Sequence, residues 1–330
     1  MSATRDVIAC FGEALVDFLA RPASEPGTPR QFVEYAGGAP ANVAVAVARL
    51  GGHARFIGML GEDLFGEMLA AQLRDAGVDT GCVRRTADAK TALAFVSLDA
   101  QGERSFSFYR PPAADLLFRA EDFDDACFDG VAVFHVCSNS LTEPAIAEAT
   151  LAGMRRARAA GALVSMDLNL RPALWPHGAD PAPRVWAALE QADLVKLCVS
   201  ELDFLARTEG DADAPLRRLG NAHAQCVLVT DGAAPIRWFT RTRQGIAPTF
   251  TVAAIDTTAA GDAFVGGWLQ SLVEQRLTRT TLGDFLEQPE HLAAALRHAA
   301  ACGALATTRH GAFAAMPTRA ELERAFGAAA

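Results

Sequence analysis

The sequence predicts an α/β fold, a mostly parallel sheet covered by helices with a small β lid standing off it. Three observations carry this. Six short β-like runs, at 7–12, 55–58, 131–136, 162–167, 194–197 and 226–230, alternate with Ala/Leu-rich stretches of helical length, the pattern of strand–helix–strand crossovers. Two further runs, 91–98 and 104–109, follow one another across Asp99-Ala100-Gln101-Gly102, whose glycine suits a reversing turn and so a hairpin. Finally, 330 residues at 51% hydrophobic content fill a sizeable core, and no repeat, low-complexity tract or linker divides 1–330 into more than one domain.

Taken in order, Met1-Ser2-Ala3-Thr4-Arg5-Asp6 runs directly into the first strand without the apolar stretch of a signal peptide. Residues 31–35 read as a third strand of the small sheet, which puts lid strands within about 18–35 and 90–111. Gly37-Gly38-Ala39-Pro40-Ala41-Asn42 then opens an apolar helix that ends at Gly51-Gly52, with proline inside the start and glycine past the end. The two glycines allow close approach of a ligand to backbone, and Asn42 offers both donor and acceptor to the hydroxyls of a polyol. In the hairpin, Phe106 and Phe108 share a face opposite Ser105 and Ser107, a half-buried pattern. Asp167-Leu168-Asn169-Leu170-Arg171 and Thr230-Asp231-Gly232 follow strand ends, where ligands of such folds collect.

The most informative segment comes last. An apolar run at 250–255, expected as a strand, breaks into Asp256-Thr257-Thr258-Ala259-Ala260-Gly261-Asp262 and then the helical Ala263-Phe264-Val265-Gly266-Gly267-Trp268-Leu269. A helix N-terminus presents unpaired amides and positive partial charge, so a small-residue turn there can hold a phosphate. A carboxylate one turn inside would repel that phosphate unless it meets the hydroxyl that attacks it. The plainer reading makes Thr258 an ordinary N-cap and Asp262 a favourable first-turn acid. With lysine only at 90 and 196 there is no phosphate-binding G-x-x-x-x-G-K-[ST] loop, and no two glycines lie two apart, which removes G-x-G-x-x-G. That absence counts against an NAD-dependent dehydrogenase.

A net charge of −9 without a long basic cluster argues against a nucleic-acid partner. No apolar stretch is long enough for a membrane span, and the chain reads as cytoplasmic. Seven scattered cysteines, odd in number and never C-x-x-C, argue against a disulfide framework or a structural zinc site.

Gly37-Gly38-x-x-x-Asn42 with Gly51, Gly61-Glu62-Asp63-Leu64-Phe65-Gly66, and the segment from Asp256 to Phe264 together resemble the two signatures of the ribokinase-like, or PfkB, carbohydrate kinases. The resemblance spans nearly the whole chain and implies a ribokinase-like three-layer fold and phosphorylation of a sugar hydroxyl from ATP. It makes Asp262 the base and the amides of Ala259, Ala260 and Gly261 the anion hole. Asp17, with Gly37, Gly38 and Asn42, would grip the sugar. On the nucleotide side it implies Lys196 and Glu201, the latter acting on Mg²⁺ through water, then Thr230 and Gly232 at the phosphates and Gly303 and Gly311 in the adenine-side segment. Asp256 and Thr258, with carbonyls near Gly311, match a monovalent-cation loop, so K⁺ joins ATP and Mg²⁺ among the implied cofactors. A homodimer through the lid belongs to the same set of expectations.

Three positions depart from the family pattern: Ala259 replaces a glycine, a mild change, Cys198 a polar residue, and Ala300 an asparagine. Within the family, the Gly-Gly-Ala-Pro-Ala-Asn form, Glu103-Arg104-Ser105-Phe106-Ser107-Phe108-Tyr109-Arg110 followed by Ala114-Asp115, and the Asp167-to-Trp175 segment look most like fructokinases. The alternative is a 2-keto-3-deoxygluconate kinase, in which Arg110 and Arg171 hold a carboxylate; otherwise Arg110 is a lid-edge charge in water. A catalytically silent sugar-binding paralogue is the competing class, and the intact Asp262 turn speaks against it.

Overall fold

The computed structural model describes residues 5–21, 29–98, 104–110 and 112–327. The expected turn at 99–102, Glu103 and part of the first lid segment, 22–28, lie outside them. Strands run in chain order as β1 (Val7–Phe11), β2 (Leu15–Ala20), β3 (Phe32–Gly37), β4 (His53–Gly61), β5 (Asp79–Thr86), β6 (Leu93–Leu98), β7 (Arg104–Tyr109), β8 (Val131–Cys137), β9 (Leu163–Asp167), β10 (Leu194–Cys198), β11 (Cys226–Asp231), β12 (Ala234–Thr240) and β13 (Gln244–Ala247). Nine form the main sheet in the order β13-β12-β11-β10-β9-β8-β1-β4-β5, and four form a smaller sheet, where the lid was expected, in the order β3-β2-β6-β7. The main sheet is parallel from β5 across to β11, and β12 and β13 close one edge antiparallel.

Period-two alternation sends β1's Ile8 and Cys10 into one core and Ala9 and Phe11 into the other, so the sheet is packed on both faces. On the first face lie the helices Ala39–Arg49, Ala260–Glu274 and Pro289–Ala306; on the second, Pro144–Ala159, Ala182–Leu189 and Val199–Glu209. Strand order reverses at β1, which lies between β4 and β8. A crevice outside the carboxyl ends of β1 and β8 is therefore where a ligand is expected. Two glycines bring the flanking helices close: a Cβ on Gly266 would stand 2.5 Å from the Ala46 Cβ, and one on Gly267 2.6 Å from the Cys302 sulfur. No described helix is long and apolar enough to cross a membrane.

The structure corrects several expectations. The run at 250–255 is not a strand: it has no ladder partner, and the amides of Ile255 and Asp256 donate to the Thr307 carbonyl at a helix end. Its hydrophobicity serves other contacts, with Phe250 against Phe326 at 4.3 Å between ring centres. The main sheet has three further strands, β5 and β13 at its two edges and β12 beside β13, with much of their length partly exposed, which breaks up the apolar signal that would mark them. The smaller sheet has a fourth strand, β2, pairing antiparallel with β3 and parallel with β6. Ring contacts knit its strands together: Phe18 stacks on Phe95 at 5.0 Å, and Phe32 and Tyr109 meet Phe95 edge-on at 5.2 and 5.3 Å.

Candidate active site

The segment after residue 255 is tied at both ends. Asp256 is buried; one of its carboxylate oxygens accepts from the Thr258 amide at 2.8 Å, the other from the Gly311 amide at 3.2 Å, with His310 Nδ1 at 3.4 Å. The helix Ala260–Glu274 is capped by Ala259 rather than Thr258, and Ala259 sits in the left-handed region at φ 57°, ψ 13°. A Cβ costs roughly 1–2 kcal/mol in that region, so replacing glycine here is less mild than the sequence suggests. First-turn amides have no partner within a helix. Ala260's amide makes a long bond, 3.3 Å, to the Thr257 carbonyl.

Asp262 lies in that first turn, 8% exposed, and its Oδ2 accepts from Asn42 Nδ2 at 2.7 Å. The two motifs, 220 residues apart in sequence, thus meet in one hydrogen bond. Burial pushes the Asp262 carboxyl up to about 7; the Asn42 bond opposes this, Asp167 adds to it, and Lys196 and Arg171 oppose it. A carboxylate balanced near neutrality can take a proton from a hydroxyl and give it up again.

Lys196 stands over the turn, since a Cβ on Gly261 would be 3.1 Å from its Nζ. The side chain is placed by strand register: Lys196 pairs with Asp167 across β10 and β9, and Nζ lies 3.1 Å from Asp167 Oδ2. Burial works against the Lys196 charge, but Asp167, Glu201 and Asp262 outweigh it and hold its pKa above the usual lysine range. Asp167 itself is pushed up by burial against the pull of Lys196. Glu201 caps a helix start, accepting from the amides of Leu170 and Cys198, both at 2.7 Å. Arg171 is exposed, and its charge reaches Asp262 and Asp167.

Toward β1 and β8 the site is crowded with buried acceptors. Glu13 Oε1 takes the Ala39 amide at 3.1 Å and Asn139 Nδ2 at 2.9 Å. Glu13 Oε2, Asn42 Oδ1, Asn139 Oδ1, Asp115 Oδ1 and Asp167 Oδ1 have no partner among the described residues. Unpaired buried acceptors are costly, so this region suits a ligand rich in O–H donors. Arg110 is not a lid-edge charge in water. It is 1% exposed, with Nε and Nη2 on Asp115 Oδ2 at 2.9 and 2.6 Å and Nη1 on the Thr142 hydroxyl at 3.3 Å.

Asp17 lies on β2 of the smaller sheet, and a Cβ on Gly37 would be 2.4 Å from its Oδ2. Gly38, at φ 105°, has no room for a side chain because a Cβ would fall 2.6 Å from the Glu13 carbonyl. The glycine pair thus lets the chain's own groups, Asp17 and the Glu13 carbonyl, approach the backbone.

On the other side of the turn a cavity of about 370 Å³ is lined by small and apolar residues, among them Thr230, Gly232, Phe250, Gly261, Phe264, Ala300 and Gly303. Of the residues expected on the nucleotide side, Thr230, Gly232 and Gly303 line it. Lys196 and Glu201 belong instead to the charged cluster at the turn, and Gly311 is bonded to Asp256. Asp167 opens a segment already read at a strand end, and Asp115 belongs to a segment quoted only for its resemblance; Glu13 and Asn139 were not singled out as site residues. Glu13 and Asn139 stand just past the ends of β1 and β8, so the strand-end rule could have found them too.

The profile of the pfkB family carbohydrate kinases matches residues 5–319. A curated relative, Fructokinase-1 from Zea mays, is 43% identical over 98% of this chain and 98% of its own length. Fructokinase with bound ATP from Xylella fastidiosa superposes with a TM-score of 0.93 at 57% identity, covering 97% of this chain and 98% of that one. A double mutant of fructokinase from Vibrio cholerae O395, in its fructose, ADP and potassium ion bound form, gives a TM-score of 0.83 at 32% identity over 98% and 99% of the two chains.

Proposed function

The chain belongs to the pfkB family of carbohydrate kinases and is an ATP-dependent sugar kinase, and from that premise we propose that its substrate is fructose and that Asp262 is the base. The observation that carries the reading is the placement of Asp262, buried with a pKa near 7, in the first turn of a helix whose start faces both Lys196 and the nucleotide-sized cavity. Asp262 accepts the proton of the sugar hydroxyl as its oxygen attacks the γ-phosphorus, while the bond from that phosphorus to the bridging β-phosphate oxygen breaks and ADP leaves with the electron pair. The amides of Ala259, Ala260 and Gly261 and the Lys196 ammonium stabilise charge on the transferring phosphoryl. Asp17, Gly37, Gly38, Asn42 and the acceptors around Glu13 hold the sugar hydroxyls. Thr230, Gly232 and Gly303 hold the nucleotide.

Fructose is favoured over 2-keto-3-deoxygluconate because the fork of Arg110 is already engaged by Asp115; the acidic sugar would have to displace that ion pair. The oxygen donors at Asp256 and Thr258 suit a hard monovalent cation such as K⁺, which would order the turn electrostatically. Glu201, whose oxygens each hold one amide, keeps lone pairs for a water of Mg²⁺. Self-association through the lid would use the exposed rings of Phe32 and Tyr109. A coupled ADP-release assay over fructose, ribose, tagatose, adenosine and 2-keto-3-deoxygluconate tests the substrate. The highest kcat/KM is expected for fructose, and a higher value for 2-keto-3-deoxygluconate would overturn the reading.

A further inference from the structure

Away from the catalytic turn, at the β5 edge of the main sheet, two thiols and a carboxylate converge. Cys82 comes from β5, while Asp124 caps the 3₁₀ turn Asp125–Phe128 and Cys127 lies within it. At three residues per turn, positions i and i+3 eclipse, so Asp124 and Cys127 stack, with the Cys127 amide on the Asp124 carbonyl at 3.2 Å. Their ligating atoms and the Cys82 sulfur all lie within 4.8 Å of one another, and Cys127 Sγ is 3.4 Å from Asp124 Oδ1. We propose that Cys82, Asp124 and Cys127 form a site for a thiophilic divalent cation of the zinc class, with the fourth position open to water.

The distances suit the ion. Metal–sulfur bonds of about 2.3 Å and metal–oxygen bonds of about 2.0–2.2 Å in a tetrahedron place ligand atoms roughly 3.5–3.8 Å apart, so only small inward shifts are needed. Two cysteines are buried and the carboxylate is exposed, which leaves the Asp124 side as the entry path. The turn is braced from two directions. Arg84 holds the Asp122 carbonyl and reaches Asp124 Oδ2 at 3.0 Å, leaving Oδ1 on the thiol side. Arg55 holds the carbonyls of Ala126 at 2.7 Å and Asp129 at 3.1 Å and is itself fixed by Asp79. Hydrogen-bonded outer partners of this kind orient a ligating carboxylate. On binding, each thiol gives its proton to the buffer, and two thiolates and one carboxylate with a dication leave a single negative charge beside Arg84. A disulfide between the same cysteines would make no use of the carboxylate or its braces. The bound ion would pin the edge strand to the segment that leads into β8.

The test uses full-length protein treated with chelator and then titrated with Cd²⁺, followed by the thiolate-to-metal charge-transfer band in the ultraviolet, with Zn²⁺ as competitor. One ion per chain is expected, displaced by Zn²⁺, together with a rise in thermal midpoint. Cys82→Ser and Cys127→Ser should each abolish the band, and Cys198→Ser should leave it unchanged. Asp124→Asn, at an exposed position that folding tolerates, should weaken binding by about tenfold or more. Binding that survives both cysteine substitutions, no binding at all, or joining of the two cysteines by mild peroxide in a protein that takes up no Cd²⁺ would overturn the proposal.

Discussion

The two sides of the turn at 256–262 are built on opposite principles. Toward β1 and β8 stand Glu13, Asn42, Asp115, Asn139 and Asp167, each buried and each with an oxygen lacking a partner among the described residues. Across the turn lies a cavity of about 370 Å³ walled by Ala, Gly, Thr and Phe. An apolar wall discriminates weakly, because a wrong group costs it little. A wall of desolvated acceptors discriminates strongly, because a missing donor strands one of them. The same chain should therefore be exacting toward its sugar and tolerant toward its nucleotide base, and Ala300 in the cavity wall adds no polar group to read that base.

The largest effect that could break this contrast is a ratio of specificities. Deoxy analogues of fructose, lacking one hydroxyl other than the one phosphorylated, should lose on the order of 10⁴-fold in kcat/KM at the worst position. Exchanging ATP for GTP should cost only about tenfold. Steady-state kinetics with both series decide it, and comparable losses on the two sides would dissolve the contrast.

A second effect sharpens the position of Asp262 between the two walls. Because its carboxyl is raised to about 7 by burial, the base is increasingly protonated at lower pH. We expect kcat/KM to fall about tenfold per unit below pH 7 and to level off above it. A profile flat from pH 5 to 8 would contradict that.

The lid gives a third, smaller effect. Sugar should slow hydrogen exchange in β6 and β7 more than in the helix Ala39–Arg49, by several-fold if the lid closes. Equal protection of both would mark the lid as a static edge. The smallest is local: Ala259→Gly relieves a left-handed φ of 57° and should stabilise the protein by about 1 kcal/mol in denaturant unfolding without lowering kcat. Destabilisation there would show that the turn is held against glycine's freedom.

The two walls differed also in how far sequence could reveal them. Local motifs fixed Asp262, the turn and the Gly37–Gly38 helix start, because phosphate and backbone contacts are made by short stretches with fixed spacing. The cavity residues Thr230, Gly232 and Gly303 were likewise recoverable. The acceptor wall was only partly legible: Asp167 followed a recognised strand end, but Glu13 and Asn139 come from separate segments that the order of β1 and β8 brings together, and Asp115 from a 3₁₀ turn that packs against them. Arg110 misled for a related reason: a charge beside a lid strand usually faces water, and only Asp115, five residues on, buries it as an ion pair. The run at 250–255 misled in the other direction, for Phe250 and Val252 line the cavity and Ile255 stays exposed, with no strand ladder.

The account rests most heavily on Asp262, and one substitution reads out both its chemistry and its burial. A carboxyl whose folded value is raised above the ordinary range binds its proton more tightly when folded, so its contribution to stability is fully present below about pH 4 and is lost as pH rises to about 7. Asp262→Asn should remove that loss and raise unfolding free energy at pH 8 by on the order of 2–4 kcal/mol, with little change near pH 4. It should also lower kcat for fructose phosphorylation by about 10² to 10⁴. The deciding measurement is kcat and denaturant unfolding of this variant beside the unsubstituted enzyme at pH 8. A more stable protein with lost turnover is the predicted result, and a folded variant with full turnover would contradict the account.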